Sequence, residues 1–325
     1  MFRKIENISS DILVGLLAVL PLAFKIFQDG LHLAVPDSDS ILVNIVFLFF
    51  CISGIVTWQS NRHLSLASLS DKAPRKLQSV LEQIRSCAVP FVITALFFDA
   101  LCQLSNPEQL DHSAWGIPLK LFFAFLPLCY MAMLVLCFHS KKNRIAFVLG
   151  VILGILVSFG PVTGILYYVC GMENLSALYA VNDIWLSLAE HAYLPLIILF
   201  ILLAFVGVPL FIVIGGITYI AFSYAGGYVD VIPLETYRII TDKSVAAIPL
   251  FTIAGYILSQ GSAGRRFVEL FNALFGWFRG GTVVAAVIVM AFFTTFTGVS
   301  GVTILALGSL LSLILSESGY TKGRA

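Results

Sequence analysis

Residues 282–316 form one long apolar stretch interrupted by a polar knot, Thr294-Thr295-Phe296-Thr297-Gly298-Val299-Ser300-Gly301-Val302-Thr303. The two arms, roughly 282–296 and 302–316, are each about 15 residues long. At 1.5 Å rise per residue an arm reaches about 22 Å, short of a hydrocarbon core of about 30 Å. Neither arm spans a bilayer alone, so the pattern predicts a bent hairpin dipping into the membrane rather than one straight rod. Backbone leaves the helical state at that depth only where protein or a water-filled cavity satisfies it. The competing reading is a Thr/Ser-rich helix packed closely on a neighbour through small residues.

Working outward, the composition is that of a polytopic membrane protein. Mean hydropathy is +0.97, and only 11% of residues are charged, against about a quarter in a soluble domain. Several apolar runs exceed 18 residues, which reads as transmembrane helices. The first run lacks a cleavage pattern and is followed by more spans, so it is not a signal peptide. A net charge of +1 gives no indication of nucleic-acid binding. The cysteines, Cys51, Cys87, Cys102, Cys129, Cys137 and Cys170, form no CxxC pair and no metal-type cluster with His. Most lie in apolar runs, where free Cys acts as a small hydrophobe.

The spans are expected at Ile12–Phe27, Ile41–Gln59, Ser86–Leu104, Pro118–Phe138, Ile145–Cys170, Tyr193–Tyr224 and Ser244–Gln260, before the broken stretch. The fold class that follows is an all-α polytopic membrane protein with about eight transmembrane segments, amphipathic interfacial helices and one re-entrant helical hairpin. Lys and Arg set the orientation. They occur near the N-terminus (Arg3, Lys4), in 60–85 (Arg62, Lys72, Arg75, Lys76, Arg85) and in 139–144 (Lys141, Lys142, Arg144). The segments 28–40, 105–117 and 171–192 have none. The N-terminus is therefore expected inside, with clean alternation to about residue 192.

Beyond that point Gly207-Val208-Pro209 interrupts the run 193–224, because Pro removes a helix donor and clashes with the preceding turn. A single crossing would leave Arg265, Arg266 and Arg279 outside. A doubling-back would bring them inside, which the positive-inside rule favours, although 32 residues is short for two full crossings. Two surface-lying helices are expected. In 264–279, Phe267, Leu270, Phe271, Leu274, Phe275 and Phe278 share a face opposite Arg265, Arg266, Glu269 and Asn272. In 75–85, Leu77, Val80, Leu81 and Ile84 make a weaker stripe. Trp58 and Trp115 fall at predicted span ends, as interface anchors do.

The chain divides into residues 1–140, four spans joined by polar loops; 141–192, a connecting transmembrane helix and a periplasmic linker; and 193–325, with the Gly/Pro-broken helices and the knot. No enzyme motif stands out: there is no HExxH, GxSxG or P-loop. The histidines, His32, His63, His112, His139 and His191, lie in connections or at span ends and read as interfacial or solvated. Asp99 is inside the third span, and an intramembrane carboxylate is a functional candidate by default. It lies about five residues from the predicted outer end, so snorkelling or a structural hydrogen bond is the expectation. Lys25 is expected to snorkel.

The knot is the leading site. Gly298 and Gly301 permit backbone shapes that other residues avoid. Unwound carbonyls with the hydroxyls of Thr297, Ser300 and Thr303 offer oxygen ligands to a hard cation such as Na⁺. The second arm begins near Ser300–Val302, and its free N–H groups favour an anion such as a carboxylate. The ion ligands read from this pattern are Thr297, Gly298 and Ser300; the substrate contacts are Ser300, Gly301 and Thr303. No cofactor is expected beyond Na⁺ as coupling ion.

These residues also carry a resemblance. Residues 230–325 resemble the start of the large membrane subunit of the TRAP (tripartite ATP-independent periplasmic) transporters. The matching positions are Ile248-Pro249-Leu250-Phe251-Thr252-Ile253-Ala254-Gly255-Tyr256, Gly280-Gly281, Thr297 through Thr303, Gly308-Ser309 and Gly319-Tyr320. Gly207-Val208-Pro209 fits the family's first-helix break. Residues 1–140 resemble the four-span small subunit more loosely, through span count and the stretch Arg62-His63-Leu64. The order resembles fused small–large permeases.

The resemblance implies Na⁺-coupled uptake of organic acids, such as C4-dicarboxylates or sialic-acid-like carboxylates, across a bacterial inner membrane. A separate periplasmic substrate-binding protein would deliver the acid, and an elevator-like motion would move it. Two departures qualify it. The usual Ser-Gly-Ser is here Thr297-Gly298-Val299, and the chain stops soon after Gly319-Tyr320, before the family's second hairpin. The expectation is a chain truncated within the large subunit, with the remainder of that domain as a further partner. The alternatives are a non-transporting membrane scaffold that binds partner chains, and an unrelated ion-coupled transporter with a re-entrant loop.

Overall fold

The computed structural model describes residues 37–60, 63–66, 74–106, 113–114, 116–140, 143–172, 175–242 and 280–297, with single positions elsewhere. Contacts divide the chain into two compact units, Met1–Thr241 and Asp242–Ala325, each described here by itself. The architecture is all-α, as the apolar runs require, with one two-residue β-hairpin pairing Ser113–Ala114 (β1) with Ile117–Pro118 (β2) among the described residues.

In the first unit the order is α1 (Ser38–Gln59), α2 (Arg75–Ser105), α3 (Leu119–Phe123), α4 (Phe125–Ser140), α5 (Arg144–Val157), α6 (Phe159–Cys170), α7 (Ser176–His191), α8 (Tyr193–Phe205), α9 (Leu210–Tyr224) and α10 (Val231–Ile240). Ser38–Gln59, Leu77–Ser105 and Leu119–His139 are each long and apolar enough to cross a membrane. The expected first span, Lys25 and the span at 244–260 lie outside the described residues or are described at only a few positions.

α2 is the central post, packing against α4, α5, α6, α9 and α10. It also corrects the reading of 75–85 as a separate surface helix. Those residues are the first turns of one 31-residue helix, about 46 Å long at 1.5 Å per residue. With neither Gly nor Pro between Arg75 and Val89, nothing breaks it. The charged turns at its start simply extend past a core of about 30 Å.

The close fit of α5 on α2 follows from Gly150 and Gly154. A Cβ on Gly150 would lie 2.3 Å from the Cys87 carbonyl oxygen, and one on Gly154 would lie 2.7 Å from that of Phe91. This small-xxx-small spacing brings two backbones together where lipid offers no hydrophobic drive. The spacing is present in the sequence, within the expected span Ile145–Cys170.

That span is in fact bent by 65° between α5 and α6. Pro161 has no N–H for the Val157 carbonyl, so the ladder fails one turn earlier, at Ser158. The Ser158 hydroxyl donates back to the Gly154 carbonyl at 2.8 Å. The Val157 carbonyl accepts a 3.1 Å hydrogen bond from the Tyr219 hydroxyl of α9. The following connection is not wholly a linker: Ser176–His191 is helical, and it meets α8 at an 82° bend.

The run 193–224 doubles back. The rings of Tyr193 and Tyr224 stack at 4.4 Å, so the start of α8 and the end of α9 lie together. Between them Phe200 presses on Gly216, where a Cβ would sit 1.9 Å from its ring. The two arms, 13 and 15 residues, reach about 20 and 22 Å, each short of a full crossing.

In the second unit, α11 (Gly281–Thr297) is a 17-residue helix with Ala285 and Val289, one turn apart, buried. Of the amphipathic segment 264–279, Arg266, Glu269, Leu270 and 273–275 are helical, Leu270 and Leu274 are exposed and Phe275 is half-buried; Phe267, Phe271 and Phe278 of that face lie outside the described residues.

Candidate functional site

α11 is the first arm of the knot. Its 17 residues give about 26 Å, below the thickness of the hydrocarbon core. The hydroxyls of Thr294 and Thr295 donate to the carbonyls of Met290 and Ala291, at 2.6 and 2.9 Å. They serve their own helix, as Ser and Thr do in apolar surroundings. Thr297 is the last residue of α11, while Gly298, Ser300, Gly301 and Thr303 lie outside the described residues.

The other break, Gly207-Val208-Pro209, is described throughout. Gly207 takes φ +89°, a backbone region that glycine enters freely. The N–H groups of Gly207, Val208 and Leu210 each find an acceptor. Gly207 donates to the Ala204 carbonyl, Val208 to that of Leu203, and Leu210 to that of Leu64 at 2.9 Å. Ser65 and Pro209 form an antiparallel bridge. The last carbonyls of α8 and Leu64 in the loop after α1 therefore satisfy the broken backbone, as non-helical backbone in a membrane protein requires. Leu64 and Ser65 lie far from Gly207-Val208-Pro209 in sequence; folding brings them together.

His63 beside this junction is half-buried rather than solvated. Its ring lies 4.8 Å from Phe211 and 5.3 Å from Trp58, and Nε2 is 3.4 Å from the Thr57 hydroxyl. Burial pushes its imidazole below the ordinary histidine value. Trp58 also meets Phe211, so this span-end tryptophan packs on protein; Trp115 is outside the described residues. A polar cavity of about 620 Å³ opens here, lined by His63, Glu82, Arg85, His139 and Pro209.

At the other end of α2, Asp99 corrects the snorkelling expectation. It is 0% exposed, and neither carboxylate oxygen has a hydrogen-bond partner. Asp230, just ahead of α10, is close enough to act on it electrostatically. Burial raises the Asp230 carboxyl above its usual range, while its own N–H and that of Val231 oppose the shift. A second cavity, about 270 Å³, is lined by Asp230, Cys102, Thr163, Tyr167 and Gly227.

The seam also holds Asn44 and Tyr237, which the sequence reading did not single out. Their side chains meet at 2.6 Å. The cysteines are free; Cys51, Cys102, Cys129 and Cys137 are buried, in keeping with their reading as small hydrophobes. Among the described residues no three or more His, Cys, Asp or Glu side chains cluster as metal ligands.

Spanning-length helices, a broken hairpin whose backbone is satisfied by protein, and a short helix that ends at the Gly- and hydroxyl-rich sequence after Thr297 are the features of an integral membrane protein of permease type. Residues 30–147 match the family model described as "Tripartite ATP-independent periplasmic transporters, DctQ component". Residues 196–325 match "Tripartite ATP-independent periplasmic transporter, DctM component". The chain thus belongs to the TRAP transporter permeases, a family of multi-pass inner-membrane transporters rather than enzymes, with both components in one polypeptide.

Similar curated proteins include the C4-dicarboxylate TRAP transporter large permease protein DctM of Vibrio cholerae serotype O1, 34% identical over 79 residues, 24% of this chain and 17% of that protein. The protein of the same description from Rhodobacter capsulatus is 31% identical over 126 residues, covering 38% and 28%. The Isethionate TRAP transporter permease protein DctMQ of Oleidesulfovibrio alaskensis is 31% identical over 124 residues, covering 38% and 20%. The matched stretch is less than a third of each of these relatives.

Proposed function

We propose that this chain is the membrane permease component of a Na⁺-coupled secondary transporter that imports small organic acids delivered by a periplasmic substrate-binding protein. The observation that carries this reading is the pairing of a DctQ-like and a DctM-like segment in one chain with a membrane arm too short to span, leading into Thr297-Gly298-Val299-Ser300-Gly301-Val302-Thr303. Two of the relatives are named for C4-dicarboxylates and one for isethionate, all small organic anions. A half-helix N-terminus with free N–H groups suits such a charge.

In this reading Thr297, Gly298 and Ser300 hold the ion, and Ser300, Gly301 and Thr303 meet the substrate. The first unit would act as the fixed membrane scaffold, with the knot-bearing element carrying the cargo. Other large-permease elements, if separately encoded, would join as partners. The N-terminus is cytoplasmic. The doubling-back of α8 and α9 supports placing Arg265, Arg266 and Arg279 on the cytoplasmic side, so the knot's hairpin opens from there.

Uptake of radiolabelled organic acid by the complete permease with its binding protein tests the reading. Replacing Na⁺ by choline should abolish uptake, and unchanged uptake would remove the cation from the mechanism.

A further inference from the structure

We propose that Asp99, with Asp230 beside it, forms a monovalent-cation site in the last turns of α2, a proposal independent of the transport reading. Asp99 is fully enclosed by protein, and both its oxygens lack a hydrogen-bond donor. Among the described residues no cation pairs with it. A carboxylate left so, with a second carboxylate acting on it, is among the costliest arrangements in a protein interior. One positive charge bound at the carboxyl, a proton or a Na⁺ ion, removes that cost.

The surroundings fit a small guest with a route in. Cys102 lies one helical turn from Asp99 on the same face of α2, and it lines the 270 Å³ cavity together with Asp230. The cavity therefore reaches the helix face that carries Asp99. The titratable groups in electrostatic reach of Asp99 are Asp230 ahead of α10, Tyr219 of α9, Tyr130 of α4 and Cys102 of its own helix. Each is neutral or anionic, so none supplies the missing charge. The site also ties a DctQ-matching residue to a DctM-matching one, so its occupancy bears on how the two components hold together.

The test uses the purified full chain in nanodiscs, in a His63→Gln background so that the imidazole does not contribute. Thermal unfolding is followed from mildly acidic to mildly alkaline pH, in Na⁺ and in choline at equal ionic strength. Stability is expected to rise either as pH falls, for a proton, or as Na⁺ replaces choline, for the ion. The isosteric, neutral Asp99→Asn should lose that response while remaining folded. Infrared spectroscopy of the chain with Asp99 intact provides a second readout. A protonated-carboxyl stretch that disappears in Asp99→Asn identifies the proton, and a carboxylate stretch shifted by Na⁺ identifies the ion. A carboxylate band indifferent to both pH and Na⁺, or an Asp99→Asn chain with an undiminished response, overturns the proposal.

Discussion

The hydroxyl of Tyr237 donates a 2.6 Å hydrogen bond to Oδ1 of Asn44, 193 residues earlier in the chain, and so joins the DctM-matching segment to the DctQ-matching one. Asn44 is buried, and its amide nitrogen donates to the Ser40 carbonyl at 2.7 Å. Around the bond, the Tyr237 ring meets Phe47 at 4.9 Å and Phe123 at 5.7 Å, both edge-on. Tyr237→Phe keeps those ring contacts but leaves a buried acceptor unpaired, which costs about 1–3 kcal/mol. The double change Asn44→Leu/Tyr237→Phe removes both polar groups and should recover most of the loss. Unfolding of the four corners of this cycle in detergent micelles measures the coupling.

The α2–α5 contact depends on the absence of side chains at Gly150 and Gly154. A methyl at Gly150 meets backbone, which cannot swing aside. Gly150→Ala should therefore destabilise the chain by about 1–3 kcal/mol, and Gly150→Leu should abolish the monodisperse folded protein on size exclusion. Gly171→Ala provides the contrast: nothing lies within 4 Å, so its cost comes only from φ +64°.

Tyr219 takes over the carbonyl that Pro161 leaves free. Tyr219→Phe should cost about 1–3 kcal/mol, because the Val157 carbonyl then loses its donor at a buried position. Adding Pro161→Ala restores an N–H four residues on and should recover part of that loss. Thermal unfolding of the single and double variants checks this.

The His63 junction predicts a pH dependence with a definite sign. Burial lowers the folded-state value, so the folded protein binds fewer protons than the unfolded chain over the intervening range. Stability is fully present above the unfolded histidine value of about 6.5 and falls as pH drops through it towards the folded value. Comparing pH profiles of thermal unfolding for the parent chain and His63→Gln isolates the contribution. A profile unchanged by the substitution would remove His63 as its source.

In the proposed reading the ion meets Thr297, Gly298 and Ser300, so the hydroxyls just ahead of them on α11 should be dispensable for ion binding. Thr294→Val and Thr295→Val should leave the Na⁺ concentration for half-maximal uptake unchanged, since neither residue is among the proposed ion ligands and each hydroxyl donates to its own helix, at Met290 and Ala291. Ser300→Ala should raise it. Uptake as a function of Na⁺ in the complete permease separates the two.

Much of this was legible in the residues. Apolar runs of that length specify helices, because a helix satisfies its own backbone within one segment in a bilayer. Gly207-Val208-Pro209 marks a break because proline lacks a donor. What happens after a break is a matter of partners. At Pro161 the chain bends by 65°, with Tyr219 on the exposed carbonyl; at Pro209 it turns back, with Leu64 accepting from Leu210. The same residue type gave a bend and a hairpin, and no local pattern distinguishes them.

Asp99 and His63 show the same division. Distance from a predicted span end made Asp99 a snorkelling candidate, but snorkelling requires a free path to the interface, and α4, α9 and α10 pack against the helix that carries it. His63 sits in a loop, yet Trp58 and Phe211 enclose it.

The sequence by itself determined an all-α membrane protein, where its chain breaks, and the family to which its two halves correspond, because helix length, proline chemistry and hydrophobic runs act over a few residues. Only the tertiary structure decided that 193–224 returns on itself, that α2 is one helix from Arg75 to Ser105, and that Asp99 is enclosed without a partner. Those outcomes depend on groups far apart in the chain meeting in space, and burial belongs to the packed whole rather than to any segment.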